Sequence, residues 1–193
     1  MNIIERVKNI LITPKTEWEV INGESATPQS LLMSYVLPLA VIAAAGAFLQ
    51  GLLFPGLSGF TFFIVTAIIA FIAQVITFYL STYIVDALAP NFGSEKDINK
   101  SAQLVAYSWT PSYIAGFLSF IPVIGALLSI AAWAYGIFLM YQGIGPLKKT
   151  PEDKKVVYMV IAYLVIIIVY FILLAILGLV LFAGFGITRV GGF

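Results

Sequence analysis

Charge disappears from this chain in three long runs. Ser25–Val85 (61 residues), Ser101–Leu147 (47) and Val156–Thr188 (33) contain no Asp, Glu, Lys or Arg. A bilayer core takes about 20 apolar residues per crossing helix, so each run is long enough to cross. The rest of the composition agrees. The chain is 61% hydrophobic and 10% charged, with a mean hydropathy of +1.04, against roughly 25% charge in a soluble domain. The segment FPGLSG, Phe54–Gly59, divides the first run, and Pro122 divides the second. The third fits one long span better than two. The pattern predicts an all-α integral membrane protein with five transmembrane helices at about 31–53, 60–85, 102–120, 123–144 and 156–182. Alternating hydrophobicity of the barrel-strand kind is absent. Two regions follow: 1–29, amphipathic and interfacial, and 30–193, the five-helix membrane domain.

Charge placement gives an orientation. Nine of the ten basic residues fall before the first predicted span or in the connections after the second and fourth; only Arg189 lies beyond the fifth. By the positive-inside rule the N-terminus is cytoplasmic and the C-terminus outside. Charges interrupt the first twelve residues, so no signal peptide is expected there, and the location that follows is a bacterial or archaeal cytoplasmic membrane, multi-pass.

The segment NIIERVKNILI, Asn2–Ile12, sets Ile3, Ile4, Val7, Ile10 and Leu11 on one helical face and Glu5, Arg6, Lys8 and Asn9 on the other. It is too short and too charged to span. It reads either as a helix lying in the membrane interface or as one packed on the protein's own loops. Thr13 and Pro14 open a second helix that Gly23 ends, and its Trp18 is an expected anchor at headgroup level. Thr27-Pro28 repeats the cap before the first span. Ser94 and Asp97 have capping-box spacing ahead of the third.

Chemistry of the soluble-enzyme kind is excluded residue by residue. With no histidine and no cysteine, a His-based triad, a thiolate metal site and a disulfide framework are all impossible. No phosphate-binding loop or dinucleotide fingerprint is present, and a net charge of +1 gives no footprint for nucleic acid. Asp86, Glu95 and Asp97 lie close in sequence but lack calcium-loop spacing, and read as surface acids balancing Lys96 and Lys100. No catalytic residue, cofactor or metal is expected. Ionisable residues inside a bilayer mark proton relays and voltage sensors. The predicted spans hold none at depth, and only Asp86 comes near, at an end.

The least helix-friendly part of the second run is YSWTPSYIAG, Tyr107–Gly116. At four-residue spacing it separates into a small-residue seam (Ser108, Ser112, Gly116) and an aromatic stripe (Trp109, Tyr113). The first span carries a matching seam at Ala43, Ala47 and Gly51, which permits close helix approach. Pro38 is expected to kink that span. Pro111 lacks an N–H and so frees the carbonyl of Tyr107, which in a bilayer needs another partner. Two readings stand side by side. One is a kinked helix satisfied by its neighbours; the other is a polar pocket of Tyr107, Trp109, Thr110, Pro111 and Asp86 opening to the cytoplasm.

Taken in order, ILxxPxxEWxxI (Ile10–Ile21), a proline-bearing first span, AYSWTPSY (Ala106–Tyr113), FIPVIG (Phe120–Gly125) and MYQGIG (Met140–Gly145) resemble the Yip domain family, the Ypt/Rab-interacting five-span membrane proteins, in its prokaryotic branch. The resemblance covers nearly the whole chain. It implies five spans and a non-enzymatic role in membrane organisation or trafficking, through helix–helix or partner contacts. Eukaryotic members bind small GTPases and carry a long cytosolic N-terminal region. Only residues 1–29 precede the first span here, without a DLYGP-type motif, so GTPase binding is not carried over. The expected partners are membrane lipids, and further copies of the chain or other membrane proteins. The rival functions are a small transporter or channel for lipids or uncharged solutes and, least favoured, a membrane-surface enzyme using Asp86.

Overall fold

The structure, a computed structural model, describes residues 2–53 and 60–184, with side chains for 2–53 and 64–180. The turn at Phe54–Gly59 and the C-terminal tail with Arg189 lie outside the described residues. Everything regular within them is helical. The helices are α1 (Ile3–Ile12), α2 (Pro14–Asn22), α3 (Pro28–Leu53), α4 (Phe60–Leu88, closed by a 3₁₀ turn at Ala89–Phe92), α5 (Ile98–Ser108), α6 (Thr110–Leu118), α7 (Pro122–Lys148) and α8 (Lys155–Gly184). Among the described residues four stretches are single helices long and apolar enough to cross a membrane: Pro28–Leu53, Ile64–Phe92, Pro122–Lys148 and Lys155–Val180.

The predicted helix over 102–120 is not continuous. It breaks at Trp109, whose φ of −89° and ψ of 0° leave the helical region, giving α5 and α6. Pro111 sits in the first turn of α6, where a missing N–H has no helical partner to lose. The proline therefore follows the break and permits a new helix start. In α3 the disturbance also precedes its proline. Residues Leu32–Val36 form a π turn in which the Leu37 N–H reaches back to the Leu32 carbonyl, and Pro38 continues as ordinary helix. A π turn, like a proline, interrupts the regular i to i−4 ladder and is a recognised place for a helix to kink.

Helices α3, α4, α8, α7 and α6 neighbour one another in that order, and α6 returns to α3. They form a ring, in which α7 and α8 are the least closely packed pair of neighbours among the described residues. The closest joint is α3 against α6. A Cβ on Gly46 would fall into the backbone of Gly116 and Phe117, and one on Gly116 would press on the Ala43 Cβ. Small residues thus bring these two backbones into contact, the close approach that favours association where lipid removes the hydrophobic drive. At one end α5 closes the ring, with every residue from Ser101 to Ser108 buried.

Helices α1 and α2 form a hairpin docked on that same end. Ile10, Trp18 and Ile21 are buried in the main core with Leu104, Tyr107 and Ile144. The hairpin's free carbonyls are also satisfied from the bundle. Gln103 Nε2 donates to the carbonyls of Ile21 and Glu24, Lys100 Nζ to those of Asn22 and Glu24, and the Tyr135 hydroxyl to that of Leu11. A helix C-terminus leaves such groups open, and a cation there is favourable. Helix α1 is packed on the protein itself through Ile10 and Arg6, while Ile4 and Ile12 on the same helix stay exposed.

Candidate functional site

Two buried ionic clusters organise the charged end. The first centres on Arg6, 4% exposed. Its guanidinium donates to Glu17 Oε1 at 2.5 Å and to the Glu24 carboxylate, and stands 5.1 Å from the centroid of the Tyr107 ring. The planar fork of an arginine suits this, since it holds two carboxylates while stacking on an aromatic face. Tyr107 is packed edge-on by Tyr35 and Trp18 as well, at 4.8 and 6.4 Å between centroids.

The second cluster centres on Lys148, whose side chain is fully buried at the end of α7. Its ammonium donates to Asp86 Oδ1 at 3.2 Å, to the Ser101 hydroxyl at 2.7 Å and to the Asp97 carbonyl at 3.1 Å. All three ammonium protons find acceptors, the condition under which a buried charge is tolerated. The neighbouring loops are tied in. Glu95 N–H donates to the Lys148 carbonyl, Ser94 shares a hydrogen bond with Thr150, and the Tyr158 hydroxyl donates to the Val85 carbonyl. The connections at Asn22–Glu24, Asp86–Lys100 and Lys148–Thr150 therefore gather at one end.

Asp86 is thus not part of a pocket with Tyr107; it belongs to the lysine cluster. Asp97 is the N-cap of α5, accepting from the N–H groups of Asn99 and Lys100. The Ser94–Asp97 capping box is replaced by that cap and by the Ser94–Thr150 bond. Glu95 pairs with Lys149. Trp18, expected at headgroup level, is 1% exposed and lies against Tyr107, with its indole where a Cβ of Gly143 would be. Its amphipathic ring suits an interface, but so does a gap that a glycine leaves between helices, and the structure uses the second.

The freed carbonyl of Tyr107 accepts from the hydroxyl of Thr110 at 2.8 Å, and the same hydroxyl is 2.7 Å from the Tyr35 hydroxyl. One side chain therefore satisfies the break in α5–α6 and joins it to the π turn of α3. The seam of Ser108, Ser112 and Gly116 is divided by the same break. The Ser108 carbonyl lies against Gly136 of α7, Gly116 lies against Ala43, and Ser112 is exposed. In the first span Ala43 makes the expected close contact, Gly51 is buried, and the residue at the tightest approach is Gly46. Sequence reasoning missed Gly46, which lies three residues from Ala43 instead of four; i, i+3 spacing was the available signal.

The protein has two cavities of about 400 Å3 each, one of them lined in part by Tyr35 and Tyr107. The outer one, at the charged end, is lined by Ile3, Arg6, Glu24, Ser34, Tyr35 and Tyr107. The inner one lies within the helix ring and is lined by all five of its helices, with Trp109 at the α5–α6 break, Tyr113 on α6, and Gln74 and Thr77 on α4. The predicted aromatic stripe is thus one wall of a cavity. Pro111 is buried in the α6 first turn.

Long apolar helices in a ring, a charged end sealed by paired groups and an uncharged interior define an all-helical transmembrane protein. The family comparison agrees with that class. The Yip1 domain model matches residues 8–176, and the chain belongs to that family. Comparison with curated proteins gave no match, and comparison with solved structures gave none.

Proposed function

We propose that this protein is a non-enzymatic, five-crossing Yip-type membrane protein that organises the membrane through contacts made at its cytoplasmic face. The observation that carries this reading is the docked α1–α2 hairpin. Arg6, Trp18, Lys100 and Gln103 fix it to the bundle, and it presents exposed Ile4, Ile12 and Val20 together with exposed Lys8, Lys15 and Glu19. Exposed apolar groups beside charge on a fixed surface suit a partner or the membrane's own polar layer. The five crossings rest on α5 and α6 together passing through the bilayer as a broken helix. Ile98–Leu118 at 1.5 Å per residue reaches about 30 Å, the thickness of the hydrocarbon core. The cytoplasmic placement of the charged end rests on the bias of Lys and Arg toward it. Crosslinking and mass measurement in native-like lipid test the reading. It expects a second copy or a partner protein attached at the hairpin, and a strictly monomeric chain with no partner would count against it.

A second reading, a pathway for lipids or uncharged solutes, is favoured by one observation, the inner cavity beside Trp109 and Tyr113. Thr110, which shares a hydrogen bond with Tyr35 of the outer cavity's lining, directly follows Trp109 of the inner one. Movement of a fluorescent lipid between leaflets of vesicles that contain the purified protein tests it, and a rate equal to protein-free vesicles would remove it.

A further inference from the structure

Three properties of the inner cavity specify what fits it. Its lining carries no charged side chain; the polar contributions come from Gln74, Thr77, Ser112, Tyr113 and other uncharged groups. Two lining residues, Thr77 and Tyr113, are nearly fully buried, and their hydroxyl oxygens, closed over by neighbouring atoms, have no hydrogen-bond partner among the described residues. A buried hydroxyl left unpaired is costly, and a helical threonine usually bonds the carbonyl one turn back, as Thr82 does to Phe78. Finally, the cavity is not sealed. Trp133 of α7 and Tyr170 of α8 line it while being 51% and 37% exposed, and they flank the ring's loosest joint. An opening between two apolar, outward-facing helices communicates with the hydrocarbon phase, not with water.

We propose that the inner cavity binds one acyl chain of a membrane lipid, admitted sideways between α7 and α8, with the Thr77 and Tyr113 side chains shifting to bring their hydroxyls to an uncharged oxygen of that lipid, such as an ester carbonyl. The size fits a binding site, since ligand pockets run from about 300 to 1,000 Å3 with mostly apolar walls and a few polar groups that orient the ligand. Lipid enters here because the portal faces lipid. A charged headgroup stays outside, because nothing in the cavity neutralises it. The inference rests on the pathway reading for its setting, but binding does not require transport.

The test uses the full chain in phosphatidylcholine vesicles containing a phosphatidylcholine with a photoreactive group midway along one acyl chain. Label is expected on cavity segments 70–77, 109–119 and 163–170. Ala70→Phe, which fills the cavity from α4, should lower that label at least tenfold and leave labelling of the outer face near Leu127 unchanged. Ala47→Leu, from the opposite wall, replaces it if Ala70→Phe does not assemble. Tyr113→Phe, which alters no volume of note, should lower retention of an ester lipid several-fold more than that of an alkane probe. Label confined to outward faces and indifferent to both filling variants would overturn the proposal. So would protection by a small water-soluble uncharged solute, or label that joins two copies of the chain. Cavity labelling without lipid movement between leaflets would leave the acyl chain in place and remove only the pathway.

Discussion

Arg6 holds two carboxylates and an aromatic face at once, and among the described residues Glu17 has no other counter-charge within hydrogen-bond reach. Removing one member of a buried pair leaves the other desolvated and unpaired, at a cost of about 3–5 kcal/mol. Arg6→Ala is therefore expected to lower stability by that amount and to release residues 2–24 to protease before the bundle unfolds. Arg6→Lys restores little, because a point charge cannot fork to both partners. Limited proteolysis beside a denaturation curve in mild detergent reads both effects. Thr110 is the second pivotal side chain. Thr110→Val leaves the Tyr107 carbonyl and the Tyr35 hydroxyl without their partner, a loss of about 1–3 kcal/mol, and Thr110→Ser keeps the bond and most of the stability. The same melting curves compare the two. Neither role was visible in the sequence. Arg6 reads as part of a solvated face because its partners are 11 and 18 residues away, on α2 and in the connection after it, and Thr110 reads as one more hydroxyl in a polar stretch. Asp86 and Lys148, 62 residues apart, were hidden in the same way.

Helices were far more legible than their joints. Long charge-free runs fix where a chain can cross, so four of the five predicted stretches are single helices among the described residues. Where a run breaks is decided by one or two residues, and the proline misdirected attention: the α5–α6 break falls at Trp109, two residues before Pro111. Because Pro111 occupies a first-turn position, Pro111→Ala should change stability by less than about 1 kcal/mol. A mid-helix kink would have made that substitution a gain of about 3 kcal/mol. Gly46→Ala behaves oppositely. Its Cβ meets backbone, which cannot rotate aside, so α3 and α6 must separate, with an expected loss of about 1–3 kcal/mol or more. Thermal denaturation of the two variants in the same detergent separates the cases, and equal effects would refute the assignment of the close joint to Gly46.

At the scale of the molecule, the hydrogen bonds at the charged end constrain the path of the chain. Lys100 bonds the Asn22 carbonyl, and Lys148 bonds Asp86 and the Asp97 carbonyl. The chain must therefore leave that end and return between residues 24 and 86, and again between 100 and 148. The second excursion can return along α7 only if α5 and α6 carried it outward. The central claim is that this broken helix crosses the membrane although no uninterrupted apolar helix exists there. The absence of cysteine makes one direct test available. Ile12→Cys and Glu152→Cys, both at exposed positions, are reacted with a membrane-impermeant thiol reagent from each side of sealed vesicles. Four crossings between them place both thiols on the same side, and that is the predicted result. Thiols that react from opposite sides would mean three crossings, and would contradict the account.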